Sequence, residues 1–395
     1  MRIADSQFNR LQVLRELCRR EPVSRTELTA ATGLNAATIS GIVGDLVERG
    51  IVVEQRVQPA RTGRPRLNLR LSSRTLYTVT AVVSGEEGLR IGIADVRGEI
   101  IHSALPGVER TSCLQALSDN LAASIRKIVQ EADIAWSQIL NVQVGLPAVV
   151  ERTTGVVHYF ETFDAVPFGM RAALERQLGV PTSIDHAMSL LAACEHWFGG
   201  DPGRDDFIVL TVELGIASTA YRNGVLYTGR NGFEPEFGHT KIYATGGRPC
   251  RCGGSGCLEV YASMSAILAQ LGEYAFPERD TPPELFDRFD RIVLPGGVPA
   301  PAAASLLAQA GGCLGTAVAN LVNIEGPESI VILVPSLAFA NAISPAFDEA
   351  LARDTFPPLR GRTTVQFRVL EAERYLRGGA ALTLERLYEP RVPLP

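Results

Sequence analysis

Glu234-Pro235-Glu236-Phe237-Gly238-His239, followed by Cys250-Arg251-Cys252-Gly253-Gly254-Ser255-Gly256-Cys257-Leu258-Glu259, is the most informative part of this chain. Three of the seven cysteines lie within eight residues, and the glycines between them allow the tight backbone path that brings three sulfurs to one point. Three thiolates and one imidazole supply the four ligands that Zn²⁺ prefers at tetrahedral corners. We therefore predict a structural zinc site formed by His239, Cys250, Cys252 and Cys257.

A disulfide cluster is the alternative for these cysteines. An odd number of closely spaced cysteines cannot all pair, and nothing in the sequence marks the chain as exported. Residues Met1–Ser6 lack an apolar signal-peptide core, and no run of about 18 apolar residues is present to span a membrane. We therefore expect a cytoplasmic protein with no membrane association.

The first seventy residues differ in charge from the rest of the chain. They contain 12 arginines against 7 acidic residues, whereas the whole chain has a net charge of −5. Their pattern predicts an apolar-striped first helix around Leu11–Leu17, a short second helix over 25–31 that starts at a Ser24–Glu27 capping box, and a third helix over 36–48. A basic helix-turn-helix of this kind is typical of DNA-binding domains.

The third helix and the hairpin after it supply the candidate DNA contacts. After Gly50, two alternating strands flank a basic tip, which predicts a wing suited to the minor groove. We expect Ile39, Ile42, Val43, Leu46 and Val47 to form the buried face of the third helix. The residues expected to contact DNA are Arg25, Asn35, Ala37, Thr38, Ser40, Arg61, Arg64 and Arg66. The alternative is a helical protein–protein module with a solvated basic face.

From about Thr75, a set of strands followed by a helix and one more strand occurs twice. The first set comprises strands over 77–83 and 89–95, a helix over 114–132 and a strand over 142–144. The second comprises strands over 207–212 and 216–222, a helix over 304–322 and a strand over 330–334. Such a duplication predicts a two-lobed α/β protein with a cleft between its lobes.

Several motifs resemble those of the ROK family of repressors and sugar kinases. They are Gly145-Leu146-Pro147-Ala148, Glu195–Gly199, the segment 234–239, the cysteine motif 250–259 and Ala319–Asn323. The resemblance implies an α/β, actin-like and hexokinase-like domain preceded by a winged helix-turn-helix. We therefore expect the DNA-binding domain over 1–72 and a first lobe over 73–186 with a C-terminal helix over 380–395. The second lobe is expected over 187–379, with the zinc site and the dimerisation surface.

The chain departs from the sugar kinases of this family at four places. The kinases' Asp-x-Gly-Gly-Thr loop is replaced by residues 81–88, and their catalytic Asp falls on Ala187. The second phosphate loop is replaced by Glu213-Leu214-Gly215, and the Gly-Gly pair under adenine by Pro335-Ser336. A register shift that made Asp185 the base would repair only one of these losses. We therefore expect no catalytic residues and no enzyme activity.

The resemblance also implies which residues contact a sugar. Glu236 and Glu259 match family residues that accept hydrogen bonds from sugar hydroxyls, and His239 matches the residue that binds zinc and touches the sugar through its other nitrogen. His186 replaces the usual Asn. The alternative for the two glutamates is that they are surface carboxylates or partners of the zinc ligands. A further departure, at Glu161–Ala165, leaves the sugar specificity open.

Together, these features predict a sugar-responsive transcriptional regulator, a repressor of carbohydrate metabolism genes. Its partners are expected to be inverted-repeat operator DNA, a sugar or sugar phosphate bound in the cleft, and further copies of itself in a homodimer or tetramer. Two alternatives stay open. One is a ROK sugar kinase with a regulatory head, and the other is a repressor controlled by a protein partner without sugar binding.

Overall fold

The computed structural model describes residues 2–57, 66–72, 75–84, 88–106, 111, 113–160, 163, 167–199, 205–229, 232–273 and 282–387. The chain forms two compact units. The first contains the N-terminal head, one α/β domain and the last helix, and the second contains the other α/β domain.

The head has helices whose ends follow signals in the sequence. They are α1 (Arg2–Arg20), α2 (Arg25–Thr32) and α3 (Ala36–Glu48). The predicted capping box starts α2: the Glu27 N–H donates to Ser24 Oγ (3.3 Å), and the Ser24 N–H donates to the Glu27 carboxylate (2.7 Å). Gly33 ends α2 in the left-handed conformation, with φ of 70°. Asn35 Oδ1 then accepts a hydrogen bond from the Thr38 N–H (2.8 Å) and starts α3.

A small antiparallel sheet completes the head. Its strands β1 (Val23–Ser24), β2 (Val52–Val57) and β3 (Arg66–Leu71) lie in the order β1-β3-β2. Strands β2 and β3 pair from Val52 opposite Leu71 to Val57 opposite Arg66, and they form the predicted wing. Strand β1 was not predicted, because two residues are too few to show alternation in the sequence.

The first α/β domain is built on a five-stranded sheet in the order β11-β7-β4-β5-β6. Its strands are β4 (Tyr77–Ser84), β5 (Gly88–Asp95), β6 (Ile100–Ala104), β7 (Ile139–Leu146) and β11 (Thr182–His186). A smaller antiparallel sheet contains β8 (Ala148–Glu151), β9 (Val156–Phe160) and β10 (Phe168–Gly169). The helices are α4 (Leu114–Glu131), α5 (Met170–Leu178), α6 (Ala187–Phe198) and, from the C-terminal end, α12 (Glu373–Arg386).

The second unit is built on another five-stranded sheet, in the order β14-β13-β12-β15-β16. Its strands are β12 (Phe207–Val212), β13 (Ile216–Arg222), β14 (Val225–Tyr227), β15 (Ser329–Val334) and β16 (Thr364–Val369). Its helices are α7 (Glu259–Ala262), α8 (Met264–Gln270), α9 (Pro282–Ile292), α10 (Pro301–Glu325) and α11 (Leu337–Asp354).

The two sheets share one topology, which confirms the predicted duplication. In each, a meander of three consecutive strands is extended by two parallel strands on the side of its first strand. Parallel pairing requires a crossover, and α4 and α10 lie in the connections that lead to β7 and β15. The fold is therefore the predicted two-lobed α/β architecture.

Helices α10 and α11 pack closely because small residues line their contact. A Cβ added at Gly311 would lie 2.2 Å from the Ile343 carbonyl oxygen, and one at Gly315 would lie 2.4 Å from that of Phe347. By length and composition α10 is able to cross a membrane, but 56% of its apolar window is buried, as in the core helix of a globular domain. Its apolar character therefore serves the core.

The observed units differ from the expected boundaries in two details. The sequence places the end of the first lobe at His186, whereas α6, which follows this residue, packs in the first unit against α12. The closing helix, expected over 380–395, spans Glu373–Arg386. Both differences arise because α6 and α12 bury their apolar faces against each other, a long-range contact that local periodicity does not show.

Candidate functional site

The four predicted metal ligands come together in the second unit. One donor atom each from His239, Cys250, Cys252 and Cys257 lies within 4.8 Å of the others. Cys250 Sγ is 3.6 Å from His239 Nδ1, and Cys252 Sγ is 3.7 Å from Cys257 Sγ. A tetrahedral zinc site with Zn–S bonds of about 2.3 Å and a Zn–N bond of about 2.0 Å requires edges of roughly 3.5 to 3.8 Å. These two distances fit that geometry.

Glycines shape the turn that carries the cysteines. Gly253 has φ of 84°, and its N–H donates to the Cys250 carbonyl oxygen (3.0 Å). Gly256 has φ of 73°, and a Cβ there would lie 2.0 Å from the Tyr243 carbonyl oxygen. A side chain at either position would be strained, and at Gly256 it would also displace the neighbouring segment. The prediction that glycine allows the sulfurs to converge is confirmed at these two residues.

Lys241 lies beside the cysteines, a contact that no motif in the sequence predicts. Its Nζ is 2.8 Å from Cys257 Sγ, and this hydrogen bond raises the pKa of the lysine. The backbone N–H of Gly254 lowers the pKa of Cys252, whereas burial raises the pKa of Cys250 to about 12. A thiol as resistant to ionisation as Cys250 becomes a thiolate when a metal cation binds it.

The two predicted sugar-binding carboxylates of the second unit lie close to His239. Glu259 is the first residue of α7, and its Oε2 accepts a hydrogen bond from the Ile216 N–H (3.2 Å). Glu236 is exposed by surface area, but partial loss of hydration raises its pKa, as does the charge of Glu259, while His239 opposes the shift. Cys250 lies on the Nδ1 side of the His239 imidazole. The Nε2 atom of His239 is therefore the nitrogen left for a ligand. The structure therefore joins the four candidate metal ligands and both glutamates in one group.

Glu259 also has a partner that was not predicted. The Arg251 Nη2 is 3.0 Å from Glu259 Oε1, so each oxygen of this carboxylate contacts a donor. The carboxylate lies in a space kept open by glycine, since a Cβ at Gly215 would be 3.0 Å from Glu259 Oε2. Glu259 is buried, so it is not a solvated surface carboxylate.

The fourth predicted sugar-binding residue, His186, belongs to the first unit. It caps the N-terminus of α6, where its Nδ1 accepts a hydrogen bond from the Met188 N–H (3.2 Å). Burial lowers the pKa of His186 to about 4, against the opposing charge of Asp185. The ring is therefore neutral at pH 7, and because Nδ1 is the acceptor, Nε2 carries the proton. It can donate one hydrogen bond to a ligand oxygen.

The residues that the sequence comparison with the sugar kinases aligned to kinase positions are placed as follows. Ala187 opens α6, Glu213 follows β12, and Ser336 caps α11, where its Oγ accepts a hydrogen bond from the Phe339 N–H (3.2 Å). A cavity of about 520 Å³ opens beside Ser336 and is lined also by Arg291 and Gly297. Residues 85–87 of the first loop, and residues 161–162 and 164–166, lie outside the described part of the chain.

The predicted DNA-reading face lies on α3. Asn35, Ala37 and Ser40 are exposed and Thr38 is half-buried, whereas Ile39, Ile42, Val43 and Leu46 are buried as predicted. Val47 was expected to be buried with them, but it is 37% exposed at the edge of the apolar stripe. A Cβ added at Gly41 or Gly44 would meet nothing within 4 Å, so this face of α3 is smooth and open.

The predicted arginine contacts are only partly within the described residues. Arg25 forms an ion pair with Glu54 (2.6 Å) inside the head. Arg61 and Arg64 lie outside the described residues, as does the side chain of Arg66, whose backbone belongs to β3. Their role in DNA contact stays a prediction.

The fold and the His–Cys cluster define a two-lobed sugar-kinase-like domain joined to a winged helix. The family model described as "ROK family" matches residues 79–385, and a MarR family model matches residues 6–61. The chain therefore belongs to the ROK family and carries a MarR-type winged helix at its N-terminus, as the motifs predicted.

Named relatives match most of the chain. The xylose repressor of Caldicellulosiruptor bescii is 27% identical over 335 residues, which cover 82% of each chain. The dual transcriptional regulator NagC of Escherichia coli K12 is 26% identical over 349 residues, which cover 87% of this chain and 84% of NagC.

Solved structures confirm the fold. A ROK family transcriptional regulator described as a homologue of the E. coli Mlc protein has a TM-score of 0.79 at 22% identity, and the match covers 97% of this chain and 96% of that one. A ROK glucokinase from Streptomyces griseus has a TM-score of 0.62 at 20% identity and covers 78% of this chain and 98% of its own. The kinase fold therefore spans the body of the protein and leaves out about a fifth of the chain.

Proposed function

We propose that this chain is a sugar-responsive DNA-binding regulator, a repressor of genes of carbohydrate metabolism. The observation that carries the proposal is the position of His239, whose Nδ1 lies 3.6 Å from Cys250 Sγ and whose ring interacts electrostatically with Glu236. A metal bound by His239 would fix the ring that faces the ligand. One centre then serves both folding and recognition.

The metal proposed for this centre is a structural zinc ion. The donor set of one imidazole and three sulfurs, at separations that match tetrahedral edges, fits Zn²⁺. Bound zinc would supply folding free energy and would hold His239, Cys250, Cys252 and Cys257 at fixed positions.

The proposed effector is a sugar or a sugar phosphate. Glu236 and Glu259 supply carboxylate oxygens that accept hydrogen bonds from hydroxyls, while His186 supplies a neutral ring N–H. A buried acceptor left unpaired costs about 1–3 kcal/mol, so the buried Glu259 would discriminate between sugars that differ in one hydroxyl. Named relatives support this choice, since one is a xylose repressor.

The proposed DNA-binding element is the winged head, acting in a homodimer or tetramer in the cytoplasm. The open face of α3 carries Asn35, Ala37, Thr38 and Ser40, and the wing carries the arginines. Two heads related by two-fold symmetry would read an inverted-repeat operator.

The first unit contains a physical connection between the proposed ligand residue His186 and the head. His186 caps one end of α6, and at the other end a Cβ added at Gly98 would lie 2.6 Å from the ring of Phe198. The turn that contains Gly98 also carries Arg97, which forms an ion pair with Glu21 at the end of α1. Helix α1 itself packs against α6 and α12. A shift of α6 on ligand binding would therefore reach the head.

A sugar kinase with a regulatory head is the second candidate, favoured by the kinases' shared fold and by the cavity beside Ser336. Several residues disfavour it. Ala187 has no proton-accepting group, Glu213 would repel a phosphate, and Pro335 lacks the backbone N–H that a glycine offers. A coupled assay of sugar-dependent ATP turnover separates the two functions.

The test of the regulator is a titration of operator affinity against a panel of sugars and sugar phosphates. The operator is selected from random DNA with the purified protein. We expect one member of the panel to weaken operator binding at least fivefold, and the chain without residues 1–72 not to bind the operator. A protein that binds its operator with equal affinity at every sugar concentration would favour control by a protein partner.

A further inference from the structure

Arg251 occupies a position that no motif singled out, between two of the metal-binding cysteines. Cys250 and Cys252 flank it, and the turn is closed by hydrogen bonds from the Gly253 N–H to the Cys250 carbonyl oxygen (3.0 Å) and from the Cys250 N–H to the Gly254 carbonyl oxygen (2.8 Å). A metal bound to both cysteines would fix the backbone of Arg251 from both sides. We call residues 250–254 the metal turn. The position that the Arg251 side chain can reach then depends on the fold of this turn.

The guanidinium of Arg251 leaves this turn and contacts Glu259. Its Nη2 is 3.0 Å from Glu259 Oε1, and the Ile216 N–H holds Oε2 from the end of β13 (3.2 Å). The side chain of Glu259 is 9% exposed and that of Arg251 is 34% exposed, so the carboxylate is the more buried partner of the pair. The carboxylate is therefore held at one oxygen by the sheet and at the other by the metal turn.

Glycines make this arrangement possible. A Cβ at Gly215 would lie 3.0 Å from Glu259 Oε2 and 3.6 Å from Arg251 Nη2, and a Cβ at Gly238 would lie 3.3 Å from Glu259 Oε2. Two separate segments thus leave space around the same ion pair. Because a guanidinium presents its donors in a rigid planar fork, it restrains the orientation of a carboxylate more strongly than an ammonium does.

We infer that Arg251 is a positioning residue that fixes the Glu259 carboxylate for the hydroxyl groups of a sugar and ties it to the metal-binding turn. This inference takes its ligand, a sugar, from the proposed function. It adds Arg251 to the proposed binding residues, as the residue through which the metal turn affects sugar affinity. Loss of the ion pair would leave Glu259 with several orientations, and the ligand would have to select one of them.

The first test needs no sugar. Zinc-loaded wild type, Arg251→Met, Glu259→Gln and the double variant are mixed with excess chelator, and the rate of zinc release is followed. We expect each single variant to release zinc about three- to tenfold faster, and the double variant to be no faster than either single one, because both changes remove the same contact. Rates that multiply in the double variant, or rates equal to the wild type, would overturn the inference.

The second test measures sugar affinity by calorimetry with a panel of free aldoses, N-acetyl sugars and their 6-phosphates. We expect Arg251→Met to weaken the sugar that wild type binds by at least tenfold at full zinc content, and Arg251→Lys to recover part of the loss. Arg362→Met, at an exposed arginine of the same unit, is the matched control and is expected to bind normally. Arg251→Met with affinity within twofold of wild type would contradict the positioning role.

The two tests separate failure of this inference from failure of the proposed function. Wild type that binds no sugar, together with non-additive zinc release, would refute the sugar effector and support the tie between Arg251 and Glu259. If Arg251→Met does not retain zinc, Arg251→Lys takes its place in both tests. An Arg251→Lys protein that matches wild type in both zinc release and sugar binding would then assign the effect of Arg251→Met to folding alone. That result would overturn the inference.

Discussion

The ion pair between Glu21 and Arg97 gives the sharpest test of communication between the head and the effector-binding domain. It joins the end of α1 to the turn between β5 and β6, and Glu21 also accepts a hydrogen bond from the Leu71 N–H of the wing (2.6 Å). Glu21→Gln keeps an oxygen for the Leu71 N–H and removes the charge. Arg97→Gln removes the positive charge of the pair and leaves the sequence of the head unchanged.

The free energy that this ion pair contributes can be estimated from the burial of its two side chains. The side chain of Glu21 is 9% exposed and that of Arg97 is 32% exposed. Exposed ion pairs contribute up to about 1 kcal/mol, and breaking a buried one costs about 3–5 kcal/mol. A half-buried pair should therefore be worth about 1–2 kcal/mol. Allosteric coupling is typically about 1–3 kcal/mol, so a pair that forms in only one of the two states would account for much of the coupling, and its loss would remove that share.

The assay is fluorescence anisotropy of labelled operator DNA with and without saturating sugar. We expect wild type to lose at least fivefold in operator affinity on sugar binding, and both single variants and the double variant to lose less than twofold. Lys127→Gln, which removes an exposed ion pair to Glu131 on α4, is the control and is expected to behave as wild type. A Glu21→Gln protein that binds sugar normally and responds as fully as wild type would refute this route.

Four further predictions concern the metal, the ligand, the DNA and the absent chemistry. Cys252→Ser should release the metal and lower the unfolding temperature of the second unit, since structural zinc contributes to folding; metal analysis of wild type showing no zinc would contradict this. Glu259→Ala should abolish the sugar response and leave sugar-free operator affinity within twofold of wild type, as an operator titration will show. Arg66→Gln should weaken binding to all DNA sequences alike and lower the salt slope by about one, whereas Ser40→Ala should relax sequence preference. ATP turnover should be undetectable with every sugar of the panel. Sugar-dependent ATP turnover that the Glu259→Ala substitution abolishes would instead support the kinase function.

The features that could be predicted from the sequence are local. The capping box at Ser24 and Glu27, the glycine that ends α2 and the ligand set around Cys250 each depend on residues a few positions apart, and the structure places them as predicted. The duplicated order of strands was likewise visible, since each strand has its own apolar pattern. Val47 marks the limit of this reasoning, because helical periodicity gives the centre of a buried stripe but not its edges.

The features that were missed are contacts between distant segments. Lys241 reaches Cys257 across 16 residues, Glu21 holds the Leu71 N–H across 50, and Glu259 meets Ile216 across 43. Each depends on how elements pack, and a charged residue gives no sign in the sequence of which opposite charge it will meet. Arg251 lies within the most informative motif of the chain, yet its contact with Glu259 depends on how α7 packs against the turn, which the motif does not encode.

Asp185 shows how such distant contacts bear on function. In the sequence it was the one carboxylate that a shifted register would make into a catalytic base. In the structure it is 1% exposed; its Oδ1 accepts hydrogen bonds from Arg152 (3.0 Å) and Arg386 (2.8 Å), and its Oδ2 accepts them from Gln143 (2.7 Å) and Arg386 (2.7 Å). A general base must lie within hydrogen-bonding reach of the proton that it takes, and both oxygens here are already directed at side chains of the same unit. Arg386 comes from α12, 201 residues along the chain, so Asp185 instead joins the last helix to the sheet. The carboxylate beside His186 therefore supports the fold around the proposed ligand residue, which favours a regulator over a kinase.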